Sequence, residues 1–323
     1  MAAFSRRSFS AIAAAALSLA ATAALAQEKP RIRVSSLTLP VFNPIVWNIM
    51  KERGFDAKNG FELEIKPYPS ISAFYAAFAT GETDVLVGGP TILQKLYLEG
   101  VPVRIIATGL TLSDLVVFVR DPAIKSLADL KGKQMAADMG GSQYQMVAIY
   151  AASKGLKLGR DITVVNGNFA VSRAQLEAGR VEAAVIAEPM ATSIMQQNPD
   201  WKVIFNGADG WKEVTGQDGW EIVAAMRADT IQRTPAAPKM MVAALQDVAA
   251  FIRSNTDEAD KLANQTVKLP AGVLKSAVAG KRWDFDVRPA WGPDRKAIWD
   301  MMERAVQAGF YEKMPDEKII YVP

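Results

Sequence analysis

Phe78-Ala79-Thr80-Gly81-Glu82-Thr83-Asp84-Val85-Leu86-Val87-Gly88-Gly89-Pro90 and Leu176-Glu177-Ala178-Gly179-Arg180-Val181-Glu182-Ala183-Ala184-Val185-Ile186-Ala187-Glu188-Pro189 pass through the same series: helix, glycine stop, acid, buried strand, proline. Gly81 and Gly179 end their helices because glycine enters the left-handed conformation without a Cβ penalty. The acids before the strands, Asp84 and Glu182, read as parts of polar turns and are assigned structural roles. A short all-apolar run between turn signals predicts a strand buried on both faces, as in parallel sheets covered by helices. Two copies of the device predict two rounds of one α/β design.

The flanking sequence fills in both rounds. Residues 32–37 read as a strand, and Asn43-Pro44 as an N-cap with proline at the first helical position; Ile45, Ile49 and Met50 supply the apolar face up to Gly54. Strands are predicted at 61–65, 85–87, 103–107 and 115–119, with helices at 72–80 and 91–99, so the first round closes at residue 119. The second has strands at 134–137, 162–165, 183–187 and 202–205, with helices at 143–154 and 173–178. Beyond residue 235 the pattern is helical only. Met240, Met241, Ala244, Leu245, Val248, Phe251 and Ile252 share one face, as do Ile298, Met301, Met302 and Ala305, and both stripes read as core.

A length of 323 residues suits about two domains with ample core. The chain has neither Cys nor His, which excludes disulfides, thiol nucleophiles, iron–sulfur clusters, Cys-ligated zinc and Ser-His-Asp hydrolysis. A formal charge of +3 with no block of Lys and Arg gives nucleic acid no footing. The composition favours a soluble binder over a catalyst, without cofactor or metal.

Arg6 and Arg7 precede an apolar stretch from Ala11 to Ala21, and Ala24-Leu25-Ala26 offers a small-residue cleavage site before Gln27. Residues 1–26 therefore read as a signal peptide, too short and too alanine-rich for a membrane span. Its removal takes two Arg and no acid from the 37 basic and 34 acidic residues, leaving a mature charge of +1. Ser5-Arg6-Arg7-Ser8-Phe9 also resembles a twin-arginine export signal; a general leader with a positive start is the alternative. No Cys follows the cleavage site, so the expected product is free in the periplasm.

Ligands in open α/β sheets bind at the carboxyl ends of the strands, beside the next helix starts. Gly88-Gly89-Pro90 and Glu188-Pro189 occupy such ends. Thr91-Ile92-Leu93-Gln94 and Ser142-Gln143-Tyr144-Gln145 have the form of capping boxes, each preceded by glycines that let a ligand approach the backbone. With Asn43-Pro44 they make three helix amino termini whose free N–H groups and positive dipole ends suit an anion; ordinary capping is the plainer reading of each alone.

Leu127-Ala128-Asp129-Leu130-Lys131-Gly132-Lys133 leading into Gly141-Ser142, and Gln175-Leu176-Glu177-Ala178-Gly179-Arg180-Val181-Glu182-Ala183-Ala184 leading into Glu188-Pro189, resemble the periplasmic solute-binding proteins of ABC importers. The resemblance is to the nitrate, sulfonate and taurine type, a group that includes binders of thiamine-pyrimidine precursors. Arg53-Gly54-Phe55-Asp56-Ala57-Lys58-Asn59-Gly60-Phe61-Glu62-Leu63-Glu64 and the segment 81–90 match the same family's first lobe.

The resemblance implies an α/β fold of two lobes, the type II periplasmic binding protein, with parallel-rich sheets and a cleft that closes on ligand. Residues 116–121 and 223–229 are the expected crossings, giving lobe one as 31–117 plus 225–323 and lobe two as 118–224. The implied partners are a small anionic or heteroaromatic organic ligand and an inner-membrane permease, with the protein a monomer and no enzyme. An exported sensor or an enzyme on the same scaffold is the alternative. Carried over by position, the ligand-binding residues are Thr38, Phe42, Asn43, Gly89, Pro90 and Thr91 from lobe one, and Gly141, Ser142, Gln143 and Glu188 from lobe two. Glu188 departs from a pocket of neutral donors, since its carboxylate would repel an anion and accept from an amine or ring N–H; a backbone contact near the hinge is the other reading. Phe42, Trp47, Phe169, Trp211 and Trp220 are candidate stacking rings.

Overall fold

Residues 29–323 are described by the computed structural model of the chain; the expected leader, residues 1–26, and its cleavage point after Ala26 lie outside the described residues. The first part of the chain runs β1 (Arg31–Leu37), α1 (Phe42–Glu52), α2 (Phe55–Lys58), β2 (Glu62–Tyr68), α3 (Ile71–Thr80), β3 (Val85–Gly88), α4 (Pro90–Leu98) and β4 (Val103–Thr108). The middle part runs β5 (Leu115–Val119), β6 (Gln134–Ala137), α5 (Ser142–Ser153), β7 (Thr163–Asn166), α6 (Phe169–Glu177), β8 (Ala183–Ala187), α7 (Met190–Gln197), β9 (Lys202–Asn206) and α8 (Gly207–Thr215). After β10 (Val223–Arg227) come the helices α9 (Ala228–Arg233), α10 (Ala237–Ser254), α11 (Thr256–Val267), α12 (Val273–Ala279) and α13 (Arg295–Gln307).

The strands form two five-stranded sheets of one plan, ordered β2-β1-β3-β10-β4 and β7-β6-β8-β5-β9. In the first, β1 lies parallel to β2 and β3, and β10 is inserted antiparallel between β3 and β4. In the second, β6 lies parallel to β7 and β8, and β5 is inserted antiparallel between β8 and β9. The expected alternation is present, and the sheets are mixed because each receives one strand flanking a passage between the halves. The chain passes from the first sheet to the second between Thr108 and Leu115, and returns between Asn206 and Val223. The expected boundary at 117/118 therefore falls inside β5, all of which pairs in the second sheet.

The repeated device folds as its chemistry dictates. Gly81 and Gly179 sit at φ of 83° and 67°, the left-handed region, and β3 and β8 are buried along their length. Asp84 accepts from Arg33 Nε at 2.8 Å, from Arg233 at 3.1 Å and from the Thr230 hydroxyl at 2.9 Å, tying β10's flank to β1. Burial alone would raise its pKa, and the Arg33 hydrogen bonds outweigh it and hold the carboxyl below its ordinary value. Glu182 accepts from the Gln134 backbone N–H at 2.8 Å at the start of β6. Both acids are structural.

The C-terminal stripes are buried as predicted, with α10 packing against the first sheet at β4 and α13 against α4 and α5. Met241, Ala244, Leu245, Val248, Phe251 and Ile252 are buried, with Met240 at the margin, and Ile298, Met301, Met302 and Ala305 are buried on α13. No described helix is long and apolar enough to cross a membrane.

Candidate functional site

The carboxyl ends of β1, β3 and β8 and the amino ends of α1, α5 and α6 converge on one cavity with about 490 Å³ of atom-free space, open solvent at its mouth included. From the first sheet's side it is lined by Phe42, Asn43, Phe74, Tyr75 and Gly88, and from the second by Gly141, Ser142, Gln143, Phe169 and Glu188. Asp114, in the passage between the sheets, completes the polar lining. A mostly apolar cleft with few convergent polar groups is the usual form of an organic-ligand site.

The structure thus brings Phe42, Asn43, Gly141, Ser142, Gln143 and Glu188 together, while Thr38, Gly89, Pro90 and Thr91 lie outside the lining. Thr38 is exposed, and Thr91 is fully buried with a hydroxyl that has no partner. Gly89 and Pro90 are buried just behind the wall. A Cβ on Gly89 would collide with Cβ and Oγ of Ser142, so glycine is what lets the end of β3 meet the start of α5. Of the candidate rings, Phe42 and Phe169 line the cavity; Trp47, Trp211 and Trp220 are packed in the core, Trp47 donating its indole N–H to the Ser35 carbonyl at 3.0 Å.

The helix starts differ from the capping pattern read in the sequence. Helix α1 begins at Phe42, and Asn43 Oδ1 accepts instead from the Leu37 backbone N–H at 2.7 Å, pinning the helix to the end of β1. Gly89 is the N-cap of α4, with Pro90 at its first position, so Thr91 is no cap. Gly141 is the N-cap of α5, and Ser142 donates its hydroxyl to Glu221 Oε1 at 2.6 Å. With Gly141 at the cap, Ser142 sits one residue inside the helix and its hydroxyl donates to the buried carboxyl.

Glu188 is fully buried and its carboxylate is occupied. Oε2 accepts from the Thr192 backbone N–H at 2.9 Å, and Oε1 from the Thr192 hydroxyl at 3.0 Å and from Arg282 Nε at 2.9 Å. Burial raises its pKa, with Thr192 and Arg282 opposing the rise. The bond partners are therefore a helix start and a distant arginine.

Two acids of the site were missed by sequence reading. Asp114 and Glu221 are buried, and Asp114 Oδ1 and Glu221 Oε2 have no hydrogen-bond partner. Burial, then the charges of Glu221 and Glu188, push Asp114 well above the carboxylate range, and burial does the same to Glu221 against the Ser142 hydrogen bond. Each acid directly precedes a strand or its first apolar residues, the position at which Asp84 and Glu182 were read as polar turns; Asp84 is as buried as Asp114 but is paired with Arg33 and Arg233, whereas Asp114 and Glu221 have no cation among the described residues. The Tyr75 phenol, against Gly88, is also raised, by burial and by Glu221. Among the described residues no group of acids could hold a metal ion.

A family model described as NMT1/THI5-like matches residues 43–259. A binding protein of Brucella abortus is 22% identical over 271 residues, 84% of this chain and 82% of its own. A Haemophilus influenzae protein named for thiamine biosynthesis is 30% identical over 164 residues, half of each chain. The structure of the alkanesulfonate-binding protein of Xanthomonas axonopodis pv. citri bound to MOPS superposes with a TM-score of 0.75 at 18% identity, covering 92% of this chain and 99% of that one. The likeness bears out the expected α/β fold of the periplasmic binding protein kind.

Proposed function

The chain belongs to the NMT1/THI5-like family, and on that footing we propose that it is the solute-binding component of an ABC-type importer. In this reading the mature protein, free in the periplasm after cleavage behind Ala26, captures a small anionic or heteroaromatic organic molecule and delivers it to an inner-membrane permease. It works as a monomer and performs no reaction. The proposed lobes are residues 31–117 with 225–323, and 118–224, adjusted so that β5 goes whole to the second lobe and β10 whole to the first. Phe42, Asn43, Gly141, Ser142, Gln143 and Glu188 are the proposed lining against ligand, with Gly89, Pro90 and Thr91 supporting it and Thr38 at the rim.

The observation that carries the reading is the cavity itself, built from strand ends and helix starts of both sheets and lined by apolar rings with few polar groups. The Haemophilus relative, named for thiamine biosynthesis, and the Xanthomonas structure, an alkanesulfonate-binding protein bound to MOPS, support a small organic ligand. The test is a thermal-shift screen of residues 27–323 against sulfonates, nitrate, carboxylates, pyrimidines and purines, followed by calorimetry and solution scattering on any hit. Ligand at 100 times its dissociation constant stabilises by about 2.7 kcal/mol, and closure reduces the radius of gyration. A screen without a hit, or a hit that leaves the scattering profile unchanged, counts against capture by closure.

A further inference from the structure

Two buried carboxyl groups, Asp114 and Glu188, line the cavity and a third, Glu221, stands behind its wall; among the described residues the cation that pairs with any of them, Arg282, is already engaged. Arg282 bonds Glu188, and Thr192 satisfies the rest of that carboxylate. Asp114 lines the cavity at 2% exposure, its backbone carbonyl accepting from the Glu188 N–H at 2.9 Å and its Oδ1 left without a donor. Glu221, completely buried, holds the Ser142 hydroxyl on Oε1 and leaves Oε2 without one. Buried carboxyl oxygens are costly without donors, so Asp114 is the lining group with most to gain from a ligand, and Glu221 is a second such carboxyl behind the wall.

We infer that the site takes a small organic cation, an ammonium or amidinium group on an apolar body, with its N–H groups donating to Asp114 and its body against Phe42, Phe74 and Phe169. The inference rests on the solute-binding reading and replaces its anionic ligand with a cationic one. An anion entering here would hold these groups in their protonated form, whereas a cation draws Asp114 into the ionised form and supplies the donors its oxygen lacks. Burial pushes both Asp114 and Glu221 toward the protonated form, the charges of Glu221 and Glu188 adding to the rise at Asp114, and a docked cation offsets that push. The apolar lining and the lack of a metal-holding group among the described residues favour an organic cation over a metal ion.

A matched set of benzene derivatives separates charge from shape: benzamidinium and benzylammonium, benzyl alcohol, benzoate and benzenesulfonate, each titrated into residues 27–323 by calorimetry. The cations are expected to bind at least about tenfold more tightly than benzyl alcohol, in line with charge-assisted hydrogen bonding, and the two anions more weakly than it. Asp114→Asn is expected to lower benzamidinium affinity by about tenfold or more and benzyl alcohol affinity by a smaller factor, so that the preference for the cation falls. Glu221→Gln serves the same purpose if Asp114→Asn does not fold, as checked by circular dichroism. Equal or tighter binding of benzenesulfonate or benzoate, cation affinity unchanged in the folded variants, or no binding of either cation at millimolar concentration overturns the inference. The solute-binding reading then stands or falls separately, on the wider screen.

Discussion

The Ser142 hydroxyl donates to Glu221 Oε1 at 2.6 Å, joining the first residue of a helix that follows the second sheet to a residue just before the strand inserted into the first. Both partners are buried, so the bond is made away from water, and it sits directly behind the cavity wall. Ser142→Ala leaves Glu221 with no hydrogen bond on either oxygen. The expected cost is about 1–3 kcal/mol, the penalty of orphaning a buried polar group, measured by urea unfolding of residues 27–323. A loss near zero would mean that water replaces the hydroxyl.

Glu221 is pushed up to about 8 by burial, from an ordinary 4.5. Between those two values the folded chain keeps a proton that the unfolded chain has released, so stability from this group is full below about pH 4.5 and falls as pH rises through 8. Asp114, raised by burial and the same neighbours, acts in the same direction. Unfolding midpoints from pH 5 to 9 should therefore decline, and Glu221→Gln should flatten the decline. An unchanged slope in the variant would show that Glu221 is ionised throughout this range.

Arg282 reaches Glu188 from 94 residues further along the chain. Arg282→Met leaves a fully buried carboxylate without its cation, and breaking such a pair costs about 3–5 kcal/mol. Adding Glu188→Gln should recover much of that loss, because the uncompensated charge is then gone. Strict additivity in the double-mutant cycle would show that the pair is not coupled.

Gly89 and Gly141 should separate folding from binding. Gly89→Ala drives a Cβ into the backbone-proximal atoms of Ser142, so it should disturb the approach of β3 to α5 and lower the melting temperature. Gly141 has a φ of −99°, which any residue adopts, and its nearest obstacle is the movable Gln143 Oε1 at 2.7 Å. Gly141→Val should fold, and should weaken ligand affinity by narrowing the cavity at that wall. Wild-type affinity in folded Gly141→Val would remove the start of α5 from the binding surface.

What could be read along the chain was whatever depends on near neighbours. The buried runs 85–87 and 183–187, the glycine stops Gly81 and Gly179, and the methionine-rich helix faces beyond 235 all carry their periodicity within a turn or two, and they fold as read. The cavity walls Phe42, Asn43, Gly141, Ser142, Gln143 and Glu188 were legible for a related reason: ligands sit where strands end and helices begin. Pairing across the fold was not legible. The apolar run 115–119 has no mark that sends it to the second sheet, since a strand's partner is set by which edge remains open once its neighbours have paired. Asp114 and Glu221 are written like the acids of polar turns, and Ser142 like a cap, because enclosure is a property of everything packed around a side chain. Burial decides the charge and partners of such a group, and burial exists only once residues distant in sequence have come together.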